Sequence, residues 1–257
     1  MFYPAFEFVL HIFSAFLFLI LVFVPLERTF TIHKQSFFRE EWFLDLCFFL
    51  GQYLIWNTLV FYLIDLFDVQ IQALQFDTIK TAIQSQPIWL QSIEVILLSD
   101  VLIYWAHRFQ HKNDFLWRFH KTHHTSVKMD WLAAHREHPI DSIYTVTLIN
   151  LPAILLGFNL ESVQWFVLFR GIWAVYIHSN AKINIGFFKY IIGSPEMHHW
   201  HHDAERDRGN YANLSPLMDI LFKTHYDPGH FPKEYGVKNN QSKNYLQHLI
   251  FPFTKKK

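Results

Sequence analysis

The sequence predicts an all-α fold, a multi-pass transmembrane helical bundle with a histidine-rich helical cap on the cytoplasmic side. Three observations lead there. Apolar runs of bilayer-spanning length recur along the chain, basic residues collect in alternate connections, and ten of the 17 histidines fall in short motifs, eight of them at spacings of three and four. The composition agrees, since 51% of the 257 residues are hydrophobic and 28 are Phe, an odd balance for a water-soluble protein. Formal charge is zero, so no global basic surface argues for nucleic acid. The single cysteine, Cys47, excludes a disulfide framework and any intrachain cysteine-based metal site. The length fits one integral-membrane domain over 1–257, with spans over 6–106, a first histidine cluster over 107–139, an apolar hairpin over 140–177, and a second cluster and tail over 178–257.

The first run, 6–26, has only Glu7, His11 and Ser14 as polar residues. At ~1.5 Å per residue it covers about 30 Å, the thickness of a bilayer core. No basic segment precedes it and no small-residue cleavage site follows, so it reads as a span and not as a cleaved signal peptide. The second, 42–67, is interrupted by Asp45, Gln52 and Asn57, and the third, 88–106, carries Glu94 and Asp100. Between them, 69–86 alternates apolar and polar residues at helical period, as an interfacial helix on the far face does. Segments 143–158 and 160–177 form an apolar hairpin hinged at Gly157-Phe158-Asn159. Arg28, Lys34 and Arg39 lie in the first connection and Arg108, Lys112, Arg118, Lys121, Lys128 and Arg136 follow the third span, which places both on the cytoplasmic side. A soluble helical protein is the alternative, but the first two runs are too long for it.

The histidines fall in HRFQH (His107, His111), HKTHH (His120, His123, His124), EHP (His138), HSN (His178) and HHWHH (His198, His201, His202). Residues three or four apart share one helical face, so each cluster directs its imidazoles at one spot and each H-x-x-H-H triplet supplies a half-site. In HHWHH, His198 repeats the spacing of the earlier triplet, and His199 falls on another face. His138 precedes Pro139, which favours a helix start and a fixed ring orientation, and it is counted with the ligands, ahead of His135. Neutral imidazoles suit zinc, iron, copper or nickel, and so many exceed what one structural zinc needs. Two metal ions sharing about ten nitrogens is the economical account, with Glu137, Asp141, Glu196, Asp203 and Asp207 as candidates to balance their charge. Asp100, Tyr104, His107 and His111 form one stripe running out of the membrane. A carboxylate inside a span is costly, so Asp100 is expected either to support the metal site from beneath or to tether a neighbouring helix.

These motifs resemble the fatty acid hydroxylase/sterol desaturase superfamily of membrane-bound di-iron oxygenases. The resemblance covers about 100–227: YWAHRFQH, WRFHKTHHTS, EHPID, YIHSNAKINIG and SPEMHHWHHDAERDRGNYA, followed by LMDILFKTHYDP. Asn210-Tyr211 and the Met218–Phe222 stretch are similar to the sterol C5-desaturase and alkylglycerol monooxygenase branch. The resemblance implies metal-ligand and hence catalytic roles for His107, His111, His120, His123, His124, His178, His198, His201 and His202, while His138 matches the HP element of only some members. It implies two iron ions (zinc in their place on purification), O2 as cosubstrate, a membrane lipid as substrate, and hydroxylation ahead of desaturation or ether cleavage. No GxGxxG and no HPGG haem-binding element occurs, so a separate cytochrome b5-, ferredoxin- or reductase-like donor is expected. The brevity of the chain points to a bacterial inner membrane before the endoplasmic reticulum. A haem- or metal-carrying membrane protein and a zinc-dependent membrane hydrolase are the rivals, and both need fewer histidines than these.

Overall fold

The computed structural model describes residues 5–67, 70, 73, 76–205, 209–238 and 244–254. Regular structure among them is helical throughout, and strand-type pairing is limited to two isolated bridges, Thr31 with Ala181 and Asp203 with Tyr235. The helices in chain order are α1 (Ala5–Thr29), α2 (Trp42–Gly51), α3 (Asn57–Leu66), α4 (Asp77–Gln84), α5 (Ile88–Lys112), α6 (Asp114–His120), α7 (Pro139–Leu156), α8 (Leu160–His178), α9 (Pro195–His201), α10 (Leu217–Leu221) and α11 (Tyr245–Ile250). Among the described residues four helical stretches are long and apolar enough to cross a membrane: Glu7–Thr29, Trp42–Leu63, Ile88–Lys112 and Pro139–Leu156. Their outward faces are apolar, as a bilayer requires: Val9, Phe13, Leu17 and Leu21 are exposed along α1, and Ile93, Leu97, Val101, Trp105 and Phe109 along α5.

The boundaries follow from local chemistry. A π-helical turn, Gln52–Trp56, joins α2 to α3 and keeps the second span continuous. Gly51 precedes it because a Cβ there would lie 2.1 Å from the Tyr245 hydroxyl of α11. The third span does not stop at 106: α5 runs to Lys112, so His107 and His111 ride on its last turns. Asn113 then caps α6, its side-chain oxygen accepting the N–H groups of Phe115 and Leu116 at 3.0 Å each. Pro139 opens α7, and Gly157, at φ 79°, closes it in the left-handed conformation that the hairpin hinge needs. Of the expected interfacial segment, Asp77–Gln84 is helical, and Gln84 Nε2 donates to the Gly157 carbonyl at 3.0 Å, which fixes α4 at the tip of the hairpin.

The spans bring four connections to one end, where they are joined by buried polar groups. Glu27, at the end of α1, accepts the backbone N–H of Trp131 at 2.7 Å and of Asn180 at 3.0 Å. Around it Leu19, Phe23, Phe49, Trp131, Leu132 and Ile177 pack as one cluster. Alongside, Arg39 spans Asp45 (2.6 Å) and Asp130, and Arg136 spans Asp45 and Glu41 (2.7 Å). Asp130 also accepts the N–H groups of Leu132 and Ala133. This network clamps the loop that follows the first histidine triplet onto the start of α2. Asp45 is wholly buried and serves two guanidinium groups, so removing it leaves Arg136 buried with a single acidic partner. Breaking such a pair costs about 3–5 kcal/mol as an order of magnitude. Asp45→Ala is therefore expected to lower the unfolding midpoint in detergent markedly, while Lys233→Ala on the exposed tail leaves it unchanged.

Candidate metal centre

Five elements deliver the histidines. His107 and His111 come from α5, His120 from the end of α6, His123 and His124 from a 3-10 turn, His178 from the last residue of α8, and His198, His201 and His202 from α9 and its end. They gather into two groups, His107, His111, His120, His124 and His201 in one, and His123, His178, His198 and His202 in the other. Within each group the candidate ligand nitrogens all lie within 4.8 Å of one another. The expectation that each triplet serves one spot is corrected here. Residues four apart stay together, His120 with His124 and His198 with His202, while His201 and His123 cross to the opposite groups. Positions i+3 and i+4 differ by about 100° around a helix, enough to aim neighbours at two different centres.

The outer ring nitrogens explain the inner ones. His107 Nδ1 faces the Tyr211 carbonyl at 2.7 Å, His123 Nδ1 that of Arg136 at 3.1 Å, His178 Nδ1 that of Ala174 at 2.6 Å, and His201 Nδ1 that of Gly209 at 2.8 Å. His120 Nδ1 faces a carboxylate oxygen of Asp141 at 2.9 Å. A carbonyl or carboxylate oxygen only accepts, so each Nδ1 carries the hydrogen and each Nε2 presents a lone pair. Yet His107 Nε2 and His120 Nε2 are 3.0 Å apart, and so are His123 Nε2 and His178 Nε2. His198 Nε2 lies 2.9 Å from His178 Nε2 and 3.1 Å from His202 Nε2. Two lone pairs at that distance repel, and a cation between them turns the repulsion into ligation. The donor set therefore fits metal ions in both groups, with outer partners of the kind that orient ligating imidazoles. Burial, reinforced by the neighbouring imidazoles, holds His123, His124, His198 and His202 well below the ordinary histidine range, so they remain neutral and able to ligate.

The carbonyls owe their positions to the GNY and MDILF motifs. Gly209, at φ 91°, sits where a Cβ would lie 2.1 Å from the Thr224 carbonyl. Asn210, also at positive φ, donates from its side chain to the Met197 and Tyr226 carbonyls and accepts the Tyr226 N–H. Asp219 accepts from the N–H groups of Tyr211 and Ala212 and from the Thr224 hydroxyl. These contacts fold one turn that offers Gly209 and Tyr211 carbonyls to His201 and His107. The motif letters signal the turn, but backbone acceptors such as Ala174 and Arg136 leave no mark in a sequence.

His138, expected among the ligands, lies outside both groups. It caps α7, its Nδ1 accepting the Ile140 N–H at 3.1 Å and its Nε2 meeting the Leu249 carbonyl at 3.2 Å, so both nitrogens are occupied. His135 is buried edge-on against Phe49 and Tyr53. His199 is also buried apart from the groups, between the Tyr235 hydroxyl (2.8 Å) and the Ser179 carbonyl (3.1 Å). Asp100 accepts the N–H groups of Leu214 (3.2 Å) and Ser215 (3.4 Å), so it tethers the segment that follows Tyr211. Trp117 and Phe119 pack inward, Trp117 on His111 and His124 and Phe119 on His138. Of the acids, Asp141 contacts a ligand directly, through His120 Nδ1. Glu137 bonds Gln52, Glu196 faces Lys189, Asp203 lines a cavity beside the first group, and Asp207 lies outside the described residues. That cavity, of about 450 Å³, is walled by His111, His124 and His201 together with Asp114, Trp117 and Glu205.

With this geometry in place, comparison with known proteins is informative. The chain belongs to the fatty acid hydroxylase family, which it matches over residues 92–224. It is 29% identical over 174 residues to ornithine lipid hydroxylase OlsE of Rhizobium tropici, covering 65% of this chain and 53% of that protein. It is 30% identical over 125 residues to human alkylglycerol monooxygenase (47% of this chain, 27% of that one). It is 26% identical over 152 residues to the Delta(7)-sterol 5(6)-desaturase ERG3A of Gibberella zeae (58% and 41%). The chain thus spans about half the length of the first of these relatives and less of the others. No solved structure matches it.

Asp141→Asn keeps the shape of the acceptor but removes its charge, and loss of such a partner lowers metal affinity about 10–100-fold. Titration against a competing chelator is expected to read a loss in that range. Acid should also weaken the metal-free protein. Burial pushes His135 and His248 down to about 4 from an ordinary 6.5, so below 6.5 the unfolded chain binds protons that the folded chain refuses. Stability then falls as pH drops from 6.5 towards 4. Glu137, raised by burial to about 8, acts in the opposite sense but is outnumbered by the lowered histidines. Thermal midpoints of chelated protein across that window are expected to decline steadily with acid.

Proposed function

We propose that this chain is a membrane-bound di-iron oxygenase that inserts oxygen into a lipid C–H bond, using O2 and electrons from a separate donor protein. The observation that carries this reading is the facing of Nε2 lone pairs at 3.0 Å in each of two groups, His107 on His120 and His123 on His178. The nine histidines these groups gather exceed the needs of one zinc or of a pair of axial haem ligands. Family membership supports iron, and relatives named as hydroxylase, monooxygenase and desaturase support lipid oxidation, with hydroxylation first among the outcomes.

His107, His111, His120, His124 and His201 would hold one ion, and His123, His178, His198 and His202 the other. When bound, the metal pair supplies O2 activation and oxidation of an unactivated C–H bond. The chain's own residues do the rest. Carbonyls of Arg136, Ala174, Gly209 and Tyr211 hold the imidazoles in one tautomer and one orientation. Asp141 contributes a carboxylate in contact with a ligand, His120, and so offsets part of the positive charge. Trp117, packed on the rings of His111 and His124, excludes water from that flank. The 450 Å³ cavity gives a substrate group a route to the first nitrogen group, and the spans below supply the lipid. The basic connections Arg28–Arg39 and Arg108–Arg136 support a cytoplasmic position for this end, where a donor can reach it.

Elemental analysis of detergent-purified protein is expected to give about two iron ions per chain, dropping sharply in His123→Ala and in His201→Ala because each removes a ligand from a different group. Iron-loaded protein given reductant, O2 and total membrane lipid is expected to yield a lipid product one oxygen heavier. A single zinc or haem per chain, or variants that retain full metal, would overturn the assignment.

A further inference from the structure

The short helix α10 is built inside out for a helix in water. Its one acid, Asp219, is 2% exposed and turned into the protein, while Leu217 and Leu221 are 52% and 68% exposed. Ile220 and Phe222 are also open on its outer side. Polar groups inside and apolar groups outside suit a hydrocarbon surrounding, since water offers nothing to offset that exposed area.

The approach to α10 is equally telling. Its preceding loop hangs from Asp100, which accepts the N–H groups of Leu214 and Ser215. Asp100 is at the midpoint of α5, seven residues or roughly 10 Å below His107 along the helix axis. The chain then climbs beside α5 until Phe222 meets the Trp105 ring, 4.7 Å between centroids. Trp105 belongs to the outward apolar stripe of that span, so the exposed face of α10 continues a surface that already faces lipid. Non-helical backbone at membrane depth requires its N–H groups to be satisfied by protein, and the Asp100 carboxylate does this. A second apolar turn is attached to the same place. The Gly193 N–H donates to the Leu214 carbonyl at 2.7 Å, and just upstream Phe187 and Phe188 are 71% and 65% exposed.

We propose that 214–222, with the Phe187–Phe188 turn beside it, is a re-entrant lip inserted among the acyl chains of the bilayer. The inference is independent of the oxygenase reading and rests on the span assignment alone. Its consequence is positional: Tyr211, whose carbonyl holds His107, is three residues from Leu214, so the first nitrogen group sits close above the acyl-chain boundary and not out in the aqueous cap.

Site-directed spin labelling tests this in nanodiscs of phosphatidylcholine. Nitroxides are placed by Leu221→Cys and, separately, Phe188→Cys in a Cys47→Ser background, with Leu97→Cys as the lipid-facing reference and Lys233→Cys as the aqueous one. Collision with O2 and with a water-soluble nickel chelate is then read by EPR. The labels at 221 and 188 are expected to match the one at 97, with an O2-to-nickel ratio several-fold above that at 233. A ratio like that at 233 would overturn the proposal in favour of a water-facing patch. Low access to both reagents would overturn it in favour of a protein partner or a second copy of the chain. Neither readout depends on bound metal or turnover, so failure here is separable from failure of the oxygenase reading.

Discussion

The central constraint on this protein is electrostatic. Nine imidazoles are driven together, and in each group two Nε2 lone pairs face each other at 3.0 Å, His107 on His120 and His123 on His178, contacts that are unfavourable unless a cation lies between them. Left to themselves the rings would rotate away. Five of them are prevented by what stands behind them: four backbone carbonyls and one carboxylate take the Nδ1 hydrogens of His107, His120, His123, His178 and His201 and fix the direction of each Nε2. Much of the cap can be understood as a frame for those five acceptors. The turn organised by Asn210 and Asp219 presents two of them, the end of α8 presents another, and the loop pinned by Arg136 supplies a fourth.

A frame of this kind needs an anchor, and the spans provide it through polar groups at their ends and middles. Glu27 joins the end of α1 to the two loops that flank the histidine-bearing segments. The Arg39–Asp45–Arg136–Asp130 network ties the start of the second span to the loop after the first triplet. Asp100 reaches from the middle of α5 to the turn that carries Tyr211. Each of these groups is costly to bury, and each is matched by two or more partners. Helix packing in lipid lacks a hydrophobic driving force between spans, so specific polar contacts of this sort carry much of the orientation.

The same contacts bear on function. A cavity reaches the first nitrogen group from the side of Asp114, Asp203 and Glu205, while α10 and its loop hold an apolar surface beside Trp105, lower on α5. Both surfaces adjoin the histidine groups, the cavity directly and α10 through Tyr211, whose carbonyl holds His107.

Much of this was legible in the chain. Uninterrupted apolar length fixes the spans, because a bilayer demands about 20 apolar residues per crossing and few other environments do. The hairpin hinge at Gly157, the helix break at Asn113 and the histidine spacings are local signals, and they come from backbone preferences that act over a few residues. The division of each triplet between two groups, by contrast, depends on how α6 and α9 are rotated against α5 and α8. That rotation is set by contacts between residues distant in sequence, such as Asp141 with His120 and Tyr211 with His107. His138 illustrates the limit: its spacing and the following proline are those of a ligand, yet the Ile140 N–H and the Leu249 carbonyl occupy both its nitrogens. Sequence determined which residues could hold metal and which segments could cross a membrane, since both follow from side-chain chemistry and local periodicity. Tertiary structure decided which lone pairs converge, because ring direction is set by the acceptor behind each imidazole, and most of those acceptors are backbone carbonyls that every residue possesses.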